Sequence, residues 1–362
     1  MKRILALTLA LVLLLCGCGS TAVSAPETSA PAEVPTEAVT EPAPATEETT
    51  PPTEAQVYRN PLNGEVLDEP FTGRVFANTV SNMEENLPHV GVTQADILVE
   101  TFVNKNNIIR CLALFTDIES VEAIGSTRST RPIFNQLAQH YDLILSHAGG
   151  SDQALEDAKN RGIENFNIDA WVVASSGASY RDEVRKRSYE NTLYGVGAGI
   201  KAYAESKGMP MTLERDYGLE FTEDGTPDGE DAASISLTFV AGQAKKTTTM
   251  VYDAEAGKYV FNQYGKVMQD LITEEPEMFT NVLIMNADIT TSGIYFVADF
   301  NAGGTGYYAC GGKLIPITWT CEGSKEPFRF QTADGQPLEL GVGNTYLAIC
   351  TPESPVTWEA AQ

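Results

Sequence analysis

The sequence predicts an α+β protein, and two observations carry that prediction. Residues 58–215 mix short apolar strands with helical stretches and contain a hairpin signal, whereas residues 219–359 are short β-branched runs separated by turns. The first region is expected to be a mixed sheet with helices, and the second a smaller, mostly antiparallel β domain. Ahead of both, residues 1–57 have a different composition and read as an address and a tether.

Lys2 and Arg3 precede an apolar run, 4–15, that is too short for a hydrocarbon core of about 30 Å, which takes roughly 20 residues. Positive charge, a short apolar core and small residues make 1–17 a secretory signal. Leu15-Cys16-Gly17-Cys18-Gly19-Ser20 resembles a bacterial lipobox, with Cys18 as the acylated residue because small Gly17 precedes it. Acyl chains such as palmitate bury methylenes at about 0.8 kcal/mol each, so release is slow. Residues 18–57 follow as a Pro-, Thr-, Ala- and Glu-rich tether with no aromatic, Lys or Arg between 21 and 56. Such a composition cannot offset its ordering entropy and is expected to stay disordered, spanning about 35 Å on average.

About 305 residues remain, enough for two domains or one large one. A net charge of −25 excludes nucleic acid and anionic headgroups as partners of the whole surface, while leaving room for a local basic pocket. Beyond Cys16 and Cys18 the chain has Cys111, Cys310, Cys321 and Cys350. Their spacing permits one bridge among Cys310, Cys321 and Cys350, or four buried free thiols. With no Cys-x-x-Cys and no His-Glu-x-x-His, neither metal nor cofactor is expected.

In the first region the turn-rich Asn60-Pro61-Leu62-Asn63-Gly64 marks the entry. Strands are expected over 73–80, 95–103 and 108–116, the last two joined as a hairpin across 104–107. Helices are expected over 132–140, 151–160 with Ser151 as cap, 180–187 and 200–207, with a buried strand over 141–146. In the second region strands are expected over 234–240, 247–252, 258–262, 282–285, 294–298, 314–321, 328–331 and 345–350.

Four polar clusters of the first region could carry function. Asp96 and Glu100 flank a strand core with Arg110 on the next strand. Register decides whether Glu100 and Arg110 form a structural ion pair or lie on opposite faces. Gly125-Ser126-Thr127-Arg128-Ser129-Thr130-Arg131 places two guanidiniums, with the hydroxyls of Ser126 and Ser129, just before a helix; that suits a carboxylate or phosphate, or internal carboxylates. His147-Ala148-Gly149-Gly150-Ser151 follows a strand and opens a helix. Gly149 and Gly150 allow close backbone approach, Ser151 is a cap, and His147 is either an acid/base group or a hydrogen-bonded core residue. Arg185-Lys186-Arg187 with Glu190-Asn191-Thr192 brings charge after an expected helix, and Asn191 completes the candidate ligand-binding set. Gly303-Gly304-Thr305-Gly306 lacks the following Lys and helix of a phosphate loop and reads as a turn.

These clusters, in this order, resemble the YerB-like lipoproteins of Gram-positive bacteria. The resemblance rests on residues 60–64, 91–100, Ile109-Arg110, 125–131, Tyr141-Asp142 and 147–151. Val251-Tyr252-Asp253, Asn281-Val282, 304–308, 311–313 and Ile317-Thr318-Trp319 continue it in the second region. It implies a layered N-terminal α+β domain followed by a smaller β-rich domain, and it implies no established activity. The chain departs from the family pattern at Leu87, where an Arg usually precedes the proline, and at Glu190-Asn191-Thr192, where a Pro-His-Asn-like motif usually stands.

The function expected is that of a lipid-anchored lipoprotein on the extracytoplasmic face of the cell membrane. It would bind an anionic cell-envelope ligand or a partner protein around Arg110, Arg128, Arg131 and His147. The alternative is a hydrolase or transferase acting on the cell wall, with Asp96, Glu100 and His147 as acid/base groups.

Overall fold

The computed structural model describes residues 57–361, apart from 107, 186, 242 and 243; the signal, Cys18 and the tether lie outside the described residues. Three strands form the centre of the first region: β1 (Phe76–Ser81), β2 (Ile97–Phe102) and β3 (Ile109–Phe115), with every residue buried. Burial on both faces explains the mostly apolar sequences of β2 and β3, while β1 also buries Asn78, Thr79 and Ser81. β2 and β3 form the expected hairpin, with Asn104 Oδ1 accepting the Asn106 amide at 3.0 Å in the turn. Its register sets Glu100 opposite Cys111 and Thr101 opposite Arg110. Glu100 and Arg110 therefore point to opposite faces, and the cross-strand ion pair does not form.

Pro132 opens α1 (Pro132–Tyr141), which buries Ile133, Phe134, Leu137 and Ala138 and ends at Asp142 in the left-handed region. β4 (Ile144–His147) lies parallel to β1, and α2 (Asp152–Arg161) leads to β5 (Asn165–Asn167), parallel to β4. Ser151 Oγ accepts the Ala154 amide at 3.2 Å, as expected of a cap. The stretch 180–187, expected as helix, is instead β6 (Ser179–Arg181) followed by a turn. β6 pairs with β7 (Leu193–Gly195), and Asp182 Oδ1 accepts the amides of Val184 and Arg185 at 2.9 and 3.2 Å. That side chain offers the backbone a local alternative to helical bonding. α3 (Gly197–Ser206) follows.

The second region is mostly antiparallel. β8 (Ser234–Ala241), β9 (Ala244–Asp253) and β10 (Lys258–Gln263) form one meander. β11 (Asn281–Asn286), β13 (Gly304–Cys310) and β14 (Lys313–Thr320) form another, with β12 (Tyr295–Asp299) in a separate hairpin beside it. The exceptions are Glu220–Thr222, which runs parallel to Glu339–Gly341, and β15 (Thr345–Cys350), which is parallel to β11 on one side and to β2 on the other. Through β15 the two sequence regions share one sheet of eleven strands. The core is shared in the same way: the rings of Phe102 and Phe239 lie 6.0 Å apart, and those of Tyr141 and Phe328 5.8 Å apart. All four cysteines of the described residues are buried free thiols, so no bridge joins Cys310, Cys321 and Cys350.

Candidate functional site

The segment 125–131 crosses the end of β1 and is held largely by backbone hydrogen bonds. Ser81 donates to the Ser126 carbonyl at 3.0 Å, Arg128 to that of Thr79 at 2.9 Å, and Thr127 to that of Leu193 at 2.8 Å. On its other side Thr130 donates to the Gly149 carbonyl at 3.0 Å and Ala148 to the Arg128 carbonyl at 2.9 Å. Gly149 is left-handed at φ 68°, and a Cβ on Gly150 would stand 2.9 Å from Leu155. The close approach that Gly150 permits is thus taken up by Leu155, while Gly149 is suited to its left-handed backbone.

Fixing this segment brings four arginines from three places into one pocket of about 350 Å³. Arg110 comes from β3, Arg128 and Arg131 from the loop ahead of α1, and Arg181 from β6; Thr127, Ser129, Ala148, Asp169, Tyr189 and Glu190 add to the lining. Arg128 donates to Asn191 Oδ1 at 2.9 Å and pairs with Glu190 at 3.1 Å. Arg181 pairs with Asp169 at 2.6 Å and stacks 3.7 Å from the Tyr189 ring. Arg110 donates to the Ser129 carbonyl, and Arg131 donates to the Thr130 carbonyl at 2.6 Å with its guanidinium 5.1 Å from the Tyr295 ring. Among the described residues neither of these two arginines is in an ion pair, and Arg131 Nε is buried without a partner. Burial pushes the Arg110 guanidinium well below its ordinary range, with Arg131 and Arg128 adding repulsion, and burial lowers Arg131 in the same way.

The other expected residues fall elsewhere. His147 is buried, with Nε2 3.1 Å from Asn165 Oδ1 and Nδ1 unpartnered; burial lowers its pKa, which fits a core histidine. Ser126 Oγ is buried without a partner, under the loop. Asp96 lines a different pocket and is fully engaged, accepting from Asn63 at 2.6 Å and from the Thr116 amide and hydroxyl at 2.6 and 2.8 Å. Burial raises its pKa against those hydrogen bonds. Glu100 is wholly buried and accepts from Asn82 at 2.7 Å, Tyr346 at 2.6 Å, Thr248 at 2.9 Å and Lys246. Arg185 pairs with Asp182 at 2.7 Å, and Arg187 donates to the carbonyls of Asn86 and Leu87 at 3.1 Å. Lys186 lies outside the described residues. Sequence reasoning missed Asp169, Arg181 and Tyr189 at the pocket and Lys246 beside Glu100. The mistaken helix over 180–187 concealed Arg181.

The fold and this pocket define an α+β protein in two matched parts. Residues 62–210 match the family model described as "Protein of unknown function (DUF3048) N-terminal domain", and residues 235–347 match the DUF3048 C-terminal domain. The chain is 26% identical over 304 residues to the Bacillus subtilis (strain 168) protein named "Putative lipoprotein YerB", covering 82% of this chain and 88% of that one. It also superposes on the crystal structure of YerB protein from Bacillus subtilis with a TM-score of 0.70 at 23% identity, over 83% of this chain and 99% of that chain, which shows the shared fold. The chain belongs to the YerB-like family.

Proposed function

We propose that the protein is a lipoprotein held by acyl chains on Cys18 to the extracytoplasmic face of the membrane, where its arginine pocket binds an anionic envelope ligand without chemistry. The observation that carries this reading is the pair Arg110 and Arg131, two guanidiniums that line the pocket and have no carboxylate partner among the described residues. Buried positive charges left unpaired are unfavourable, and a bidentate anion relieves that cost. The lipobox of residues 15–20 supports the anchor, and so does the name of the Bacillus subtilis relative. A wall-acting hydrolase or transferase needs two titratable groups in one cleft. Asp96 lies in a different pocket, Glu100 and His147 are buried outside the arginine pocket, and the pocket's own carboxylates, Asp169 and Glu190, are paired with Arg181 and Arg128, so binding is the better-supported reading.

The test is thermal unfolding of the full chain against purified wall fragments, lipid-linked precursors and phosphorylated sugars, beside Arg128→Ala/Arg131→Ala. A true ligand at 100 times its Kd stabilises by about 2.7 kcal/mol, and the double variant should abolish that rise. No rise with any anion, or a rise that the double variant keeps, would overturn the reading.

A further inference from the structure

The charges of the pocket say what kind of anion it fits, on the reading that it binds one. Four guanidiniums line it, those of Arg110, Arg128, Arg131 and Arg181, against two carboxylates, Asp169 and Glu190; four positive less two negative leaves +2. Both carboxylates are already committed to the outer arginines, Asp169 to Arg181 and Glu190 to Arg128. The excess therefore sits on Arg110 and Arg131. Arg110 belongs to a residue only 3% exposed and makes one hydrogen bond, to the Ser129 carbonyl. Arg131 makes one to the Thr130 carbonyl and leaves Nε unpartnered.

We propose that this pocket takes a doubly charged phosphoryl group, a phosphomonoester carried on a small body, in preference to a carboxylate or a phosphodiester. A carboxylate or a diester brings one negative charge, which leaves one guanidinium uncompensated. A phosphomonoester brings about 1.5 to 2 negative charges near neutrality and three strong acceptor oxygens. Those acceptors suit guanidinium forks that arrive from two separate elements, β3 and the start of α1. At about 350 Å³ the pocket stands at the small end of ligand sites, with room beyond the phosphoryl for a body of sugar size. Glu190 is the built-in competitor: its side chain is 75% exposed and occupies the Arg128 guanidinium that an incoming anion would use.

Calorimetric titration of the full chain in detergent micelles tests this, with methyl phosphate, dimethyl phosphate and acetate as probes at pH 7.5 and pH 5. The expected result is at least tenfold tighter binding of methyl phosphate than of the other two, weakening at pH 5 as its second proton returns near pH 6. Glu190→Gln should tighten methyl phosphate severalfold. Arg131→Lys, which keeps the charge and loses the fork, should weaken it. Glucose 1-phosphate and a short-chain phosphatidate, run as separate arms, distinguish a sugar from a lipid carrier of the same group. Equal binding of acetate or dimethyl phosphate would overturn the dianion assignment and leave anion binding standing. Failure of all the anions would sink both.

Discussion

Lys246 Nζ donates to Glu100 Oε1 across 146 positions of sequence, with both side chains almost wholly buried. The pair joins β9 of the second region to β2 of the first, and Thr248, Tyr346 and Asn82 satisfy the remaining carboxylate valences. Rings of Phe239, Phe261 and Tyr264 stand 5.6 to 5.8 Å from the ammonium. Removing one partner of such a pair leaves a buried charge uncompensated. Lys246→Met should therefore destabilise the protein by about 3–5 kcal/mol in urea titration, and Glu100→Gln/Lys246→Met by clearly less. A double variant as unstable as Lys246→Met would show that the pair is not the source of the loss.

Stability should fall on mild acidification, and two histidines give the sign. Burial lowers the folded-state pKa of His147 and of His140 below the ordinary 6.5. The unfolded chain then takes up protons that the folded chain refuses. Stability is whole above about pH 6.5 and declines from there toward the folded pKa, by up to about 1.4 kcal/mol per pH unit for each group. His147→Gln should flatten that slope between pH 6.5 and 5, measured by unfolding at fixed ionic strength. An unchanged slope would argue against a neutral buried imidazole.

The thiols make a counting experiment. Burial pushes Cys111 well above the usual thiol range, raises Cys310 and Cys321, and pushes Cys350 up to about 12. Disulfide-exchange reagents should find next to no thiol in the native protein. With Cys16 removed with the signal and Cys18 blocked by acylation, they should find four in denaturant without reductant, from Cys111, Cys310, Cys321 and Cys350. Two in place of four would mean that a bridge forms.

The anchor is tested apart from the fold. Cys18→Ser should abolish metabolic labelling with an acyl precursor and leave the pocket's binding unchanged in detergent-free solution. Continued acylation of the variant would place the lipid elsewhere.

Much of this architecture is legible from local pattern, and the failures share one cause. The β2–β3 hairpin, α1 and α2 with its Ser151 cap follow from apolar runs and turn residues. What escaped depends on partners far away in sequence. Nothing in residues 95–116 says whether Glu100 faces Arg110 or Cys111; the choice is made by Lys246 and Tyr346, which only tertiary pairing brings near. Likewise 180–187 has helical composition, yet Tyr180 pairs with Tyr194 and Arg181 reaches Asp169. Arg128 and Arg131 are readable as a pair because both lie in one short segment. Arg181, which completes their pocket, was not.

The position of β15 bears on how the molecule comes into being. This strand lies between β11 and β2 in the middle of the large sheet, yet it is made long after β2. Its Tyr346 meets Glu100 across 246 positions, so at about 5–20 residues per second β2 waits roughly 10–50 s for its neighbour to leave the ribosome. During that interval β2 presents an unpaired edge, the feature that invites wrong pairing in nascent chains. A chain that stops before residue 345 should leave even its N-terminal half open to limited proteolysis, so intactness of the whole molecule is read out by β15.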